Sequence, residues 1–205
     1  MSRLPSSRDK ELRRRYRFDA DTRAYHIDVK ADFYQDIANP WDFSPLQRRD
    51  LDDDLKEFLY ESISEIPSRH PVILNFHLPR NIEDPDAEGR SVTGIRSFLE
   101  YTLRTRKSHL KEMLRTAVAY ALMGVLLLIM AVLVQPVLPQ GVVSKVVPEG
   151  LYVGGWVMIW EFFSVIFFRI IEIRREIGRY RRLLKSPIQY RYHNLAAAPV
   201  GSPFA

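Results

Sequence analysis

The sequence predicts an α/β membrane protein, a small β-β-α-β-α cytoplasmic domain followed by a two-helix transmembrane hairpin. Two apolar runs and the distribution of basic residues carry this reading. Thr116 to Val134 contains no charged residue, and Gly150 to Ile171 contains only Glu161 and Arg169. Each run matches the roughly 20 residues that an α-helix needs to cross about 30 Å of hydrocarbon. Arg104, Arg106, Lys107, Lys111 and Arg115 precede the first run, and a dense arginine stretch follows the second. The connection Gln135–Glu149 holds only Lys145. Lys and Arg accumulate on the cytoplasmic side of spans, so both termini are expected in the cytoplasm.

The expected boundaries are a disordered basic tail at 1–11, the cytoplasmic domain at 12–115, and spans at 116–138 and 150–171. An external loop at 139–149 separates the spans, and a basic cytoplasmic segment occupies 172–205. Residues 1–17 carry charge but no apolar stretch, so the first apolar run is expected to direct insertion. Pro136, Pro139 and Pro148 are expected to stop the helices around the external loop, because proline lacks an N–H and clashes with the preceding turn. The chain has no cysteine, which excludes disulfides and thiolate-metal chemistry.

Within the domain, Leu12–Phe18 and Arg23–Lys30 flank Asp19-Ala20-Asp21-Thr22 and read as a β-hairpin. Ser44-Pro45 has the form of a helix start, a hydroxyl cap followed by proline at the first helical position. Asp50, Asp52, Asp53 and Asp54 follow, suited to the positive helix end. Leu51, Leu55, Phe58, Leu59, Ser62, Ile63 and Ile66 form the apolar stripe, and Pro67 ends the helix. Pro71–Leu78 reads as a strand, parallel to the second through a crossover. Pro79–Gly89 reads as an acidic loop. A second helix is expected from about Ser91, running without a turn signal into the first span.

Several side chains stand out. Glu161 lies mid-span, where an ionised carboxylate costs several kcal/mol. It reads as a proton or cation site, as a polar contact locking the hairpin or an oligomer through Trp156, Trp160 or Gln135, or as a residue of a shifted span near the surface. Ala117, Ala121 and Gly124 in the first span, with Gly150 and Gly154 in the second, are small residues suited to close helix packing or a dimer seam. Arg115, Arg169, Arg174, Arg175, Arg179, Arg181, Arg182 and Lys185 are placed to meet anionic lipid headgroups. On the open face of the sheet, His26, Asp28, Asn75 and His77 alternate with core positions. They read as ordinary solvent-facing side chains and not as a metal site, and no metal or cofactor is expected.

The segments FSPLQRRDLDDDLKEFLYESI, ILNFHLP and GWVMIWEFFSVIFFRIIEIRREIGRYRRLL resemble an uncharacterised group of small prokaryotic two-transmembrane-helix proteins with a cytoplasmic α/β domain. The shared features are Gly155-Trp156, Trp160-Glu161 and Arg174-Arg175, over roughly residues 25–190. Phe162–Phe168 departs from the proline and more polar aromatic stretch of that group. The resemblance implies the prokaryotic cytoplasmic (inner) membrane and lends weight to Glu161. It implies no activity.

No glycine-rich phosphate loop, nucleophile elbow or metalloprotease helix is present in the sequence. The expectation is a non-enzymatic, membrane-anchored interaction or regulatory protein, or an accessory subunit of a membrane complex. Its partners would be membrane lipids and further protein, as a homo-oligomer or larger complex, without nucleic acid. Asn39–Glu100 is net acidic, with 13 Asp and Glu against 7 Lys and Arg, and is suited to attract basic segments. The alternative is an oligomeric ion channel or proton-coupled membrane protein using Glu161, and a third is an enzyme acting on a lipid or nucleotide.

Overall fold

The computed structural model describes residues 7–194. The chain divides into two compact units, Met1–Leu103 with Gly178–Ala205, and Arg104–Ile177. The first is a mixed α/β unit. Helix α1 (Ser7–Arg15) leads into β1 (Arg17–Phe18), β2 (Tyr25–Lys30), α2 (Asp53–Glu65), β3 (Val72–Pro79) and the start of α3 (Pro85–Val134). The chain returns through the end of α5 (Ile171–Lys185) to β4 (Ile188–His193). The sheet order is β1-β2-β3-β4, with β1 antiparallel to β2 and the other three strands parallel.

The element order therefore differs from the expected β-β-α-β-α. A helix precedes the first strand, which shortens to two residues, and a fourth strand follows the second apolar helix. Residues 7–11 are helical rather than disordered, while 1–6 of the expected tail lie outside the described residues. The α/β unit is not confined to 12–115, because β4 pairs with β3 along its length, from Leu74↔Ile188 to Pro79↔His193. Ile188, Tyr190 and Tyr192 alternate with Gln189, Arg191 and His193 after Ser186-Pro187, which is a period-two strand signal. Residues 195–205 lie outside the described residues.

Two helix starts also move. Asp52 caps α2, accepting the amides of Asp54 and Leu55 at 3.0 and 3.1 Å. Ser44-Pro45 does not start this helix, because the Asp42 carboxylate accepts the amides of Ser44 and Asp50, both at 2.9 Å, and folds the segment into a loop. Asp84 caps α3 in the same way, through the amides of Asp86 and Ala87, so that helix starts at Pro85 and the acidic loop is shorter than Pro79–Gly89.

The core lies on one sheet face. Ile27, Leu74, Phe76 and Leu78 meet Leu59 and Ile63 of α2, Ile95 and Leu99 of α3, and Leu183 of α5. Burying each such side chain stabilises by about 1.5–3 kcal/mol. Arg182 fastens α5 to the end of α2. Its guanidinium donates to the carbonyls of Ile66 (2.6 Å), Pro67 (2.9 Å), His70 (2.7 Å) and Ile63 (3.3 Å). These include carbonyls that a helix end leaves without an intrahelical partner.

The second unit contains the apolar parts of two helices long and apolar enough to cross a membrane, Pro85–Val134 and Val142–Lys185. At 1.5 Å per residue, 50 and 44 residues extend about 75 and 66 Å, well beyond one hydrocarbon thickness. The second is built from α4 (Val142–Ser164), a π-helical turn (Val165–Ile170) and α5. The expected external loop at 139–149 is thus mostly helix, and Pro148 lies buried inside α4 instead of stopping it. A proline in the second turn forfeits a single backbone bond near a helix end, where the loss is most easily tolerated. Gly141 precedes α4 with φ 155°, a conformation that a side chain would strain.

Candidate functional site

The face of the sheet opposite the core carries a row of polar side chains, one step of the pleat away from Ile27, Leu74 and Phe76. The row crosses all four strands. Arg17 of β1 donates to His26 Nδ1 at 3.1 Å and to Asp28 Oδ1 at 3.3 Å. Asn75 Nδ2 donates to the same two atoms, at 3.0 and 2.8 Å. Two donors converge on His26 Nδ1, so the proton of the neutral ring lies on Nε2. His77 Nε2 donates to Asp28 Oδ1 at 2.9 Å, and its Nδ1 lies 2.6 Å from Nε2 of His193 on β4. His193 thus extends an Asp–His–His chain to the sheet edge.

Sequence alternation placed His26, Asp28, Asn75 and His77 on one face, and the structure joins all four in one network. Arg17 and His193 were missed. Arg17 lies in the expected first strand, Leu12–Phe18, but only the pairing Arg17↔His26 sets it beside the row, and for His193 the Gln189/Arg191/His193 alternation is the available signal. The environment is more buried than an open surface: Asn75 is 0% exposed and His26 7%. Among the described residues Asn75 Oδ1 has no hydrogen-bond partner. An orphaned buried oxygen is costly.

Electrostatics in the row favour a charged Asp28. Burial by itself raises its pKa, but the His77 hydrogen bond, the Arg17 charge and the Asn75 donor outweigh this and hold the carboxyl below its ordinary value. With a guanidinium at 3.3 Å from Asp28 and its donors on His26 Nδ1, the cluster is unsuited to a cation. Among the described residues no group of three or more His, Asp or Glu side chains could hold a metal ion.

The remaining sequence candidates fall in several places. Glu161 is half-buried on α4, and among the described residues its carboxylate has no hydrogen bond or ion pair. Trp160 and Trp156 are exposed on the helix exterior, and Gln135 lies past the end of α3. None of them bonds to Glu161. The π-helical turn begins four residues beyond it.

Gly124 packs closely against α4: a Cβ there would meet Ile159 Cγ1 at 2.8 Å and the Gly155 carbonyl oxygen at 2.9 Å. The opposing small residue is Gly155, whose added Cβ would meet Leu128 at 2.8 Å. Gly154 has only an ordinary contact to Leu127, and Gly150 faces open space, so neither forms the close crossing. A small residue every fourth position fits several helix faces, and spacing alone could not choose between adjacent glycines. Ala117 is fully buried and Ala121 half-buried.

Among the basic residues, Arg115, Arg169, Arg174, Arg175, Arg181 and Lys185 are exposed. Arg179 and Arg182 are not free for lipid: Arg179 donates to the Tyr60 hydroxyl and covers its ring, and Arg182 caps α2. Both lie on the stripe of α5 that contributes Leu183 to the core. Compared with protein-family models, curated proteins and solved structures, the chain matches none.

Proposed function

We propose that the chain is a two-span membrane protein whose α/β unit lies in the cytoplasm and binds a protein partner through the polar face of its sheet. The observation that carries the anchor is the pairing of β4 with β3. The chain leaves the sheet before the first apolar helix and re-enters the same sheet after the second. This return fits an even number of crossings, as two apolar helices in a hairpin would make. The basic flanks against the single Lys145 of the connection support the cytoplasmic side. The binding role rests on the row Arg17–His26–Asp28–Asn75–His77–His193, which lies on the sheet face opposite the core and whose ends, Arg17 and His193, reach the surface.

The chain lacks cysteine, so single-cysteine variants test the topology directly. Lys145→Cys should react with a membrane-impermeant maleimide in intact cells, and Gln189→Cys only after permeabilisation. Equal labelling of the two would remove the hairpin. For the partner, charge reversal at the rim (Arg191→Glu) should abolish co-purification from mild detergent while leaving the labelling pattern intact. A co-purifying set that is empty, or indifferent to this change, counts against the binding role.

A second reading rests on Glu161, an unpaired mid-span carboxylate beside a π-helical turn, a feature frequent at functional sites. In it, an oligomer brings Glu161 side chains together along a proton or cation path. Glu161→Gln should abolish flux in liposomes without dissociating the oligomer. Parent protein without flux removes this reading.

A further inference from the structure

The outer edge of β2 is only half closed. β1 pairs with Tyr25 and His26 alone. On the other side, the amides of Tyr25 and Ala31 donate to the carbonyls of Pro71 and His77, at 2.9 and 3.1 Å. Odd-numbered residues of β2 therefore bond to β3. In a parallel ladder the intervening residues turn both N–H and C=O the other way. The backbone groups of Asp28 and Lys30 consequently point outward, and among the described residues none has a hydrogen-bond partner.

This edge opens into a cleft of about 330 Å³ whose lining includes the acidic residues Asp36, Asp52 and Asp54, with Asp28 and Lys30 of β2 and Phe58 on the α2 side. A loop carrying exposed aromatics starts and ends at residues that line the cleft. Ile37 and Asp52 line the cleft and are joined by the Asp52 amide to the Ile37 carbonyl at 3.1 Å. Between them the chain runs out and back, and Trp41 and Phe43 on this excursion are 93% and 99% exposed. The loop is built rather than slack. Asn39 N–H donates to Asp50 O at 2.8 Å, Asn39 Oδ1 accepts the Trp41 amide at 2.9 Å, and Asp42 accepts the amides of Ser44 and Asp50. Its far side rests on Gly94, where a Cβ would come within 2.4 Å of the Leu46 carbonyl oxygen. Two exposed aromatics on such a scaffold have the character of binding anchors, since interface hot spots concentrate in Trp and other aromatics.

We propose that this edge and cleft receive an extended, lysine- or arginine-bearing segment of a partner protein. The segment adds as a strand beside β2 and rests its apolar side chains on Trp41 and Phe43. Main-chain bonds to Asp28 and Lys30 provide the pairing, and alternate side chains provide specificity. The acidic lining selects cations, and the exposed rings take alkyl stems and guanidinium faces. Anionic headgroups would be repelled by the same carboxylates, so the occupant is peptide and not the bilayer surface. The site meets the polar sheet face at Asp28, which offers its backbone to the edge and its carboxylate to the polar row, and it goes beyond that reading.

The probe is a soluble octapeptide of alternating lysine and valine, titrated against the full chain in detergent micelles. Its glutamate–valine counterpart is the control. Saturable binding of the lysine peptide alone is expected. Lys30→Pro removes an outward N–H without touching the β3 ladder and should weaken binding tenfold or more, with circular dichroism unchanged. N-methylation of alternate peptide amides, which needs no protein variant, should abolish binding in one phase and spare it in the other. Trp41→Ala with Phe43→Ala should weaken it as well.

Equal binding of the two peptides, or indifference to methylation phase, overturns the proposal. So does retention of the Trp41 and Phe43 effect on anionic phosphatidylglycerol vesicles in place of the peptide. A benzoylphenylalanine at position 41 that cross-links only to a second copy of the chain, or to its own termini, also overturns it. Arg191→Glu should leave peptide binding unchanged, so failure here and failure of the sheet-face reading are separable.

Discussion

Tyr190, which follows the second apolar helix, stacks on Phe76, which precedes the first, with ring centroids 5.4 Å apart and planes 23° from parallel. The Tyr190 hydroxyl donates to Ser91 at 2.7 Å, and the neighbouring Tyr192 bonds to Tyr34 and to Glu88 at 2.6 and 2.9 Å. The strand beyond the second apolar helix is thus an integral part of the sheet that begins before the first.

Truncation and point substitution should reveal this dependence. Phe76→Ala should destabilise the α/β unit by about 3–5 kcal/mol, as aromatic truncations in packed cores do. Tyr190→Phe keeps the stack and loses one hydrogen bond, at a cost of about 0.5–1.5 kcal/mol. Ending the chain at Lys185 removes β4 and should abolish cooperative unfolding of the unit. Denaturant unfolding of the protein in micelles, followed by circular dichroism, reads all three. A cooperative transition persisting without β4 would contradict the sheet order.

The arginines of α5 should separate sharply. Arg182→Ala removes the guanidinium from four carbonyls, of which Pro67 keeps the His70 amide, and should cost roughly 3 kcal/mol or more, because unsatisfied buried groups cost about 1–3 kcal/mol each and are partly rehydrated. Arg182→Lys should recover only part of this, since an ammonium lacks the planar fork. Arg181→Ala, on the exposed side, should stay within about 0.5 kcal/mol and instead lower affinity for anionic vesicles. Vesicle co-sedimentation alongside unfolding distinguishes the two roles.

Glycine substitutions test the helix crossing. Gly124→Ala and Gly155→Ala each push a methyl against the opposite helix, with backbone oxygen among the obstacles at 2.9 and 3.0 Å. Both should weaken the helix pair, while Gly150→Ala should have no effect and Gly154→Ala little. Proximity cross-linking between cysteines placed near Gly124 and Gly155 measures this. Equal sensitivity at Gly150 and Gly155 would argue for a different register.

The two pH extremes should act on different parts. Hydrogen bonds from Ser44 and from the Asp50 amide lower the Asp42 pKa to about 2. A depressed folded value means that this contribution to loop order is present above the unfolded pKa near 4 and is lost as pH falls toward 2. Protection of the Ser44 and Asp50 amides against hydrogen exchange should fall over that interval, and Asp42→Asn should remove the dependence. At the other end, burial raises the Tyr190 phenol well above its usual value, and burial with the Tyr34 and Glu88 contacts does the same for Tyr192. Raised folded values stabilise fully below the unfolded pKa near 10 and lose effect as pH rises beyond it. Stability should therefore decline above about pH 10, and less so in Tyr190→Phe.

Local chemistry by itself determined the apolar helices, because about 20 predominantly apolar residues announce their length without knowledge of neighbours. It also determined β3, its parallel pairing with β2, and the alternation that gathers His26, Asp28, Asn75 and His77 on one face. Helix caps were less legible, since Ser44-Pro45 and Asp52 both carry start signals and only the closure of the Asp42 loop selects the second. The tertiary structure alone decided what the arginine-rich tail does. In sequence, Arg181 and Arg182 are adjacent cations with the same juxtamembrane logic. In the fold one faces out and the other meets four carbonyls of a helix end more than a hundred residues away. The same holds for Gly154 and Gly155, and for His193, which completes the polar row from a strand that follows both apolar helices. Spacing along a chain fixes which residues share a face, but which face finds a partner depends on contacts between segments far apart in sequence.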